Sequence, residues 1–256
     1  MDLHIYTYII LAVMAFLAGT VDTLAGGGGL ITVPAQLLSG VNPIIALGTD
    51  KLQSAIGELS ATLHFLRHGN VRYRLLLWGL IYTMLGAAIG TILLQFVPVH
   101  HLEKIIPILL LAVLIYYLYS SYKGKINPKI QELSEHNSGF FASIGSLIGF
   151  YNGFFGPGTG TLWAISFMHF KKLSIQQATM YTKPLNLAAN LIALGIFIVN
   201  GQVDFSLAFI MGIGSFLGGK FGAQLVIYKD SRWLKLIFTL LMSLSVVGTF
   251  IKYYFL

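Results

Sequence analysis

Two lysines, Lys51 and Lys183, each stand in the middle of an apolar run long enough to cross hydrocarbon. A lysine at bilayer depth costs about 2.5–3.5 kcal/mol on insertion scales, so a pair of them needs compensating partners. Helical spacing puts Lys51, Ser54 and Glu58 on one face, and Lys183, Asn186 and Asn190 repeat that face later in the chain. Thr49 and Gln53 add polar groups beside the first set. Two readings of these residues are open. In one, the lysines are neutralised internally, Lys51 by Asp50 or Asp22, or they cap carbonyls freed by a broken helix. In the other, they form a cationic floor for an anionic substrate, with Thr49, Gln53, Ser54 and Asn186 as hydrogen-bonding groups. Lys183 has no carboxylate near it in sequence, which favours an external anion as its partner. Asp22 and Glu58 are the candidates to carry a coupled proton, or else to neutralise Lys51.

Glycine-rich turns accompany each lysine. The first is Gly26-Gly27-Gly28-Gly29 and the second is Gly156-Pro157-Gly158-Thr159-Gly160. Irregular backbone in hydrocarbon leaves N–H and C=O groups unpaired, so it is tolerated only when buried in protein or lining a watery cavity. A turn of this kind leading into a helix offers N–H donors and the positive end of the helix dipole. Gly27, Gly28, Gly29, Gly158 and Gly160 are therefore candidate substrate-binding positions, and Thr159 adds a hydroxyl. No Gly-Lys-Ser/Thr follows either turn, so neither is a P-loop. Close packing of helices is the competing explanation for the glycines. Asn152 falls where the first half has Asp22 and is expected to pin the second turn.

The elements that must position these groups are all helical. Apolar segments fall near 5–24, 27–39, 43–66, 75–97 and 102–122, and again near 139–155, 158–169, 174–199, 205–228 and 233–255. The rhythm of long, short, long, long, long occurs twice. The short segments are too brief to span at about 1.5 Å per residue, so each half is expected to open with a helical hairpin tipped by its glycine turn. The two tips are expected to approach each other. Asn42-Pro43 and Ser174-Ile175-Gln176-Gln177 read as helix starts, and Pro184 favours a break at about Lys183.

One half slides onto the other. Gly19 meets Gly149, Gly26 meets Gly156 and Gly28 meets Gly158; after a two-residue slip, Lys51 meets Lys183, Gly86 meets Gly218 and Gly90 meets Gly222. The coincident mid-span lysines are the stronger signal. Matching loops differ in basicity: the Arg67, His68, Arg72, Arg74 loop answers to one carrying only Asp204, and the neutral loop at Gly40 answers to Lys171 and Lys172. Halves entering the membrane in opposite directions produce that pattern. The expected architecture is an all-α polytopic membrane protein of two inverted repeats, each a glycine-tipped hairpin plus three transmembrane helices. The boundaries are 1–122 for the first repeat, 123–137 for a polar linker and 138–256 for the second. Both termini would lie outside and the linker inside.

Composition excludes other classes. Of 256 residues, 56% are hydrophobic and 10% charged, where soluble domains carry about 25% charged residues. The net charge of +7 is spread over short loops rather than gathered in a patch, so it sets topology and gives no reason to expect nucleic acid. With no cysteine, disulfides and thiol chemistry are absent. The histidines show no metal-ligand spacing, and neither a cofactor, a metal nor a catalytic acid/base set is expected. Met1-Asp2-Leu3-His4 lacks a basic leader and reads as the start of the first helix.

The stretch Gly19-Thr20-Val21-Asp22-Thr23-Leu24-Ala25-Gly26-Gly27-Gly28-Gly29-Leu30-Ile31-Thr32-Val33-Pro34 resembles the opening motif of the TauE/SafE family of sulfite exporters. Ala46-Leu47-Gly48-Thr49-Asp50-Lys51-Leu52-Gln53-Ser54 resembles its second motif, with Asp50 where the family often has Asn, and Gly69-Asn70-Val71 matches the loop after it. The resemblance extends, more loosely, through the second half. It implies a multipass carrier in the bacterial inner membrane that moves sulfite, sulfonates or other small sulfur-containing anions, mostly outward. Partners would be that small anion and the lipid bilayer; oligomeric state is not fixed by the sequence, a homodimer being one candidate. A passive anion channel with the same site is the first alternative, and a membrane enzyme acting on lipid the second.

Overall fold

The computed structural model describes residues 4–69, 72–123, 138–228 and 232–255. Met1–Leu3, Asn70, Val71 and nearly all of the expected linker lie outside the described residues. The first half forms α1 (Ile5–Ala25), α2 (Gly29–Leu38), α3 (Pro43–His68), α4 (Leu77–Gln95) and α5 (Val99–Lys123), with a 3₁₀ turn, Tyr73–Leu76, leading into α4. The second half enters through a helical turn, Ser138–Phe140, and a π-helical stretch, Phe141–Gly145. It then forms α6 (Ser146–Phe154), α7 (Thr159–Lys171), α8 (Ile175–Val199), α9 (Phe205–Tyr228) and α10 (Arg232–Tyr254). No strand occurs among the described residues. The chain is an all-α polytopic membrane protein.

Local chemistry accounts for the boundaries. Asn42 accepts the Ile44 N–H at 3.1 Å ahead of Pro43, which starts α3. Ser174 accepts the Gln177 N–H at 3.2 Å while Gln177 Oε1 accepts the Ser174 N–H at 3.3 Å, a reciprocal cap that starts α8. α1 stops at Gly26, whose φ of 76° suits glycine and whose N–H donates to the Asp22 carbonyl at 2.9 Å. The expected break at Lys183 does not form: α8 runs unbroken through Pro184. Proline removes one donor, and neighbouring helices that enclose the site hold the helix in place. The polar run Gly48–Ser54 likewise leaves α3 continuous.

Five helical stretches among the described residues, within α1, α4, α5, α8 and α9, are long and apolar enough to cross a membrane. α3 has the length, 26 residues or about 39 Å, but carries Asp50, Lys51 and Glu58. Large apolar residues recur on the outer faces of the long helices, such as Trp78, Ile81, Leu85, Ile89 and Ile92 on α4 and Phe209, Ile213, Phe216 and Leu217 on α9. Lys51, Lys183, Asp50, Glu58, Asn152, Asn186 and Asn190 are buried inside. That apolar-out, polar-in arrangement is favourable only in lipid.

The halves interlock by exchange. α1 packs on α9 of the second half, and α6 packs on α4 of the first; α3 lies against α8. Glycines permit the close approach. A Cβ at Gly218 would strike the Phe16 carbonyl and one at Gly86 the Ser146 carbonyl, with Gly222 against Thr20 and Gly90 against Phe150 repeating the contact a turn later. These residues do pack helices, as their four-residue spacing suggests.

Candidate functional site

Both glycine turns bring the chain back on itself, and their tips meet. Gly26 and Gly160 lie backbone to backbone, the Thr161 hydroxyl donates to the Ala25 carbonyl at 2.7 Å, and the Thr161 N–H reaches the Gly26 carbonyl at 3.3 Å. The end of α1 is therefore fixed against the start of α7. The C-terminal ends of α1 and α6 carry carbonyl oxygens with acceptor capacity to spare.

The two buried lysines donate to them, each across the boundary between halves. Lys183 Nζ donates to the Asp22 carbonyl at 2.6 Å and forms an ion pair with Asp22 Oδ2 at 2.5 Å. Lys51 Nζ donates to the Asn152 carbonyl at 2.5 Å and to Asn152 Oδ1 at 3.3 Å. Both lysine side chains are 1% exposed. Lys51 thus pairs with neither Asp50 nor Asp22, and Lys183 has a carboxylate after all. Asp22 is distant from it in sequence and was invisible to a search among near neighbours.

A cavity opens between these caps, lined by Asp22, Gly29, Asp50, Lys51, Ser54, Glu58, Asn152, Gly156, Gly158, Thr159, Gly160, Asn186 and Asn190. A second adjoins it, lined by Gly28, Gln53, Ser54, Glu58 and Ser215 among others. Each has room for about a water molecule. The α3 and α8 faces meet here: Asn190 Nδ2 donates to Glu58 Oε2 at 2.8 Å, joining residues in equivalent positions of the two halves. Deeper in, Asp50 Oδ1 accepts from Thr32 Oγ1 at 2.5 Å and Gln53 Nε2 at 2.8 Å, while Gln53 Nε2 also reaches Ser54 Oγ at 2.9 Å. Ser215 donates to Gln53 Oε1 from α9.

Most of the residues singled out in sequence converge here, but three do other work. Thr49 accepts the Asp204 N–H at 3.0 Å, on the opposite side of α3, where it steadies the entry to α9. Two residues along a helix turn the side chain by about 200°, so Thr49 cannot share the Lys51 face. Gly27 faces Met242 of α10 and lines neither cavity. The Gly28 N–H is taken by Asp22 Oδ1 at 3.3 Å, although Gly28 itself lines the second cavity. The wall of the first cavity carries three carboxylates, Asp22, Asp50 and Glu58, against one ammonium group, Lys51; Lys183 lines neither cavity and adjoins them only through its partner Asp22.

Asp50, Asn152, Asn190, Gly156 and Ser215 line the cavities without having been singled out as site residues. Asp50 precedes Ser54 by one helical turn, a spacing that marked it for the same face. Ser215 carried no such signal, because only the α1–α9–α3 packing brings it in.

Residues 11–249 match the sulfite exporter TauE/SafE family. The chain belongs to this family. A probable membrane transporter protein of Haemophilus influenzae is 39% identical over 235 residues, covering 92% of this chain and 91% of that one. The probable membrane transporter protein YfcA of Escherichia coli is 35% identical, covering 88% and 83%. A more distant relative, the probable membrane transporter protein YunE of Bacillus subtilis, is 25% identical over 241 residues. No solved structure matches the chain. With its apolar spans, this places the TauE/SafE chain among multi-pass bacterial membrane transporters.

Proposed function

We propose that this TauE/SafE protein is a secondary carrier that moves a small sulfur-containing oxyanion, sulfite or an organosulfonate, outward across the bacterial inner membrane. The observation that carries this reading is a pair of buried lysines beside one cavity between the two glycine turns: Lys51 lines it, and Lys183 holds Asp22 of its wall. Lys51 and Lys183 supply charge; Ser54, Gln53, Asn186, Thr159 and the turns around Gly28, Gly29, Gly158 and Gly160 supply hydrogen bonds. The reciprocal exchange of helices supports halves of inverted topology, 1–122 and 138–256, that rock about this site. A cavity the size of a water molecule is then an occluded stage, which admits an oxyanion only as its walls part.

The excess of carboxylates bears on coupling. An anion entering beside Asp22, Asp50 and Glu58 meets repulsion that a proton on one of them relieves. Glu58, at the meeting of α3 and α8, is placed to carry that proton, with Asp22 the second candidate. Protonation of that carboxylate then accompanies binding of the anion.

The test is purified protein in liposomes loaded with sulfite or methanesulfonate. An imposed pH gradient is expected to drive the anion against its own gradient, and the anion is recovered chemically unchanged. Flux that only dissipates its gradient identifies a channel. Chemical modification identifies an enzyme, and no flux above protein-free liposomes overturns the anion reading.

A further inference from the structure

The two lysine caps are geometric equivalents with one chemical difference. Lys183 closes on an aspartate, and Lys51 makes the same two contacts, to a main-chain carbonyl and a side-chain oxygen, on an asparagine. Among the described residues no carboxylate oxygen lies within 4 Å of Lys51 Nζ. The acids that share its cavity are engaged elsewhere. Asp50 Oδ1 is held by Thr32 and Gln53, its Oδ2 lies 3.5 Å from the Ser54 hydroxyl, and Glu58 Oε2 is held by Asn190.

We propose that Asn152 sets the charge selectivity of the site. By standing where the first half has Asp22, it leaves Lys51 as the ammonium with no carboxylate in contact, the one that receives a singly charged oxyanion, while Lys183 stays committed to Asp22. This rests on the anion-carrier reading and assigns its two lysines different roles. The head group sits on the second-half side of the cavity, against Lys51, Asn152 and the turn at Gly156, where a Cβ would come within 2.5 Å of the ammonium. A second feature points to a ligand in the same place. Asn186 Oδ1 lines this cavity, is buried and has no hydrogen-bond donor. Buried polar atoms are rarely left so, and hydrogensulfite, or a water brought in with a sulfonate, supplies the missing donor. With Asp22 held by Lys183, one ammonium beside Asp50 and Glu58 disfavours a dianion more than a monoanion of the same shape.

The experiment titrates the full chain in detergent with methanesulfonate, a monoanion, and sulfate, a dianion, by calorimetry. Wild-type protein is expected to bind the first in preference to the second. Asn152→Asp places a carboxylate on Lys51 with almost no change of shape and is expected to weaken methanesulfonate by about 30-fold or more. Exchanging the pair, Asp22→Asn with Asn152→Asp, moves the free ammonium to Lys183 and is expected to recover at least about tenfold of that loss. Asp22→Asn alone frees both ammonium groups and is expected to raise sulfate affinity; this arm decides the matter should Asn152→Asp fail to fold. Wild-type protein that binds neither methanesulfonate nor sulfate overturns the carrier reading together with this one. Binding unaltered by Asn152→Asp, or sulfate affinity unaltered by Asp22→Asn, overturns the assignment to Asn152 and leaves the carrier reading standing.

Discussion

Replacing Lys183 with methionine keeps the unbranched stem and removes only the ammonium. The change leaves the Asp22 carboxylate without its cation; the Asp22 carbonyl keeps the Gly26 N–H. Removing one partner of a buried ion pair costs about 3–5 kcal/mol, because the other charge remains without compensation. Asp22 keeps 21% exposure and the Gly28 N–H, which moves the expectation to about 3 kcal/mol, the low end of that range. In a chain of this size that corresponds to a fall of roughly 6–12 °C in apparent Tm, read by unfolding in detergent. The molecule supplies its own comparison. Asp22→Asn converts the Lys183 cap into the arrangement that Lys51 already makes with Asn152, so it is expected to cost only about 1 kcal/mol. The double variant is expected to be more stable than the sum of the two losses implies, since each change removes the other's unpaired group. A Lys183→Met protein that melts with the wild type would refute the latch, and with it the pairing of halves through their broken helix ends.

Other expectations follow from the same geometry. Gly26→Ala puts a methyl group into the Gly160 backbone at a left-handed φ, and is expected to abolish monodisperse protein on size exclusion. Glu58→Gln is expected to eliminate acceleration of transport by a pH gradient in liposomes while binding of methanesulfonate persists; gradient-driven transport that survives removes Glu58 from coupling. Ser174→Ala loses the cap of α8 and is expected to cost about 1 kcal/mol, a drop of roughly 2–4 °C in Tm. Gly218→Leu forces α9 from α1 and is expected to lower Tm far more than Gly195→Leu, where a Cβ meets nothing within 4 Å.

What could be read from the residues in order was what is local. Helix starts at Asn42-Pro43 and Ser174–Gln177, the stop at Gly26, and the lipid-facing stripes all arise from interactions within a few residues. Helical spacing also put Lys51, Ser54 and Glu58 on one face, and the repeat of that face announced a shared cavity before any packing was known. The Pro184 break was misread because its cost is set by the helices that surround it, not by the dipeptide.

Partner choice belonged to the tertiary structure. Periodicity states which face of a helix is polar, but not which other helix will come to lie against it. Lys183 and Asp22 meet only because α1 ends where the two glycine tips cross, and Ser215 reaches Gln53 only because α9 is exchanged onto α1. A buried charge takes whichever oppositely charged or polar group the packing places within a few ångströms. Depth and charge were therefore written along the chain, whereas compensation, and which of the two buried lysines Lys51 and Lys183 has a carboxylate in contact, emerged when the two halves closed on each other.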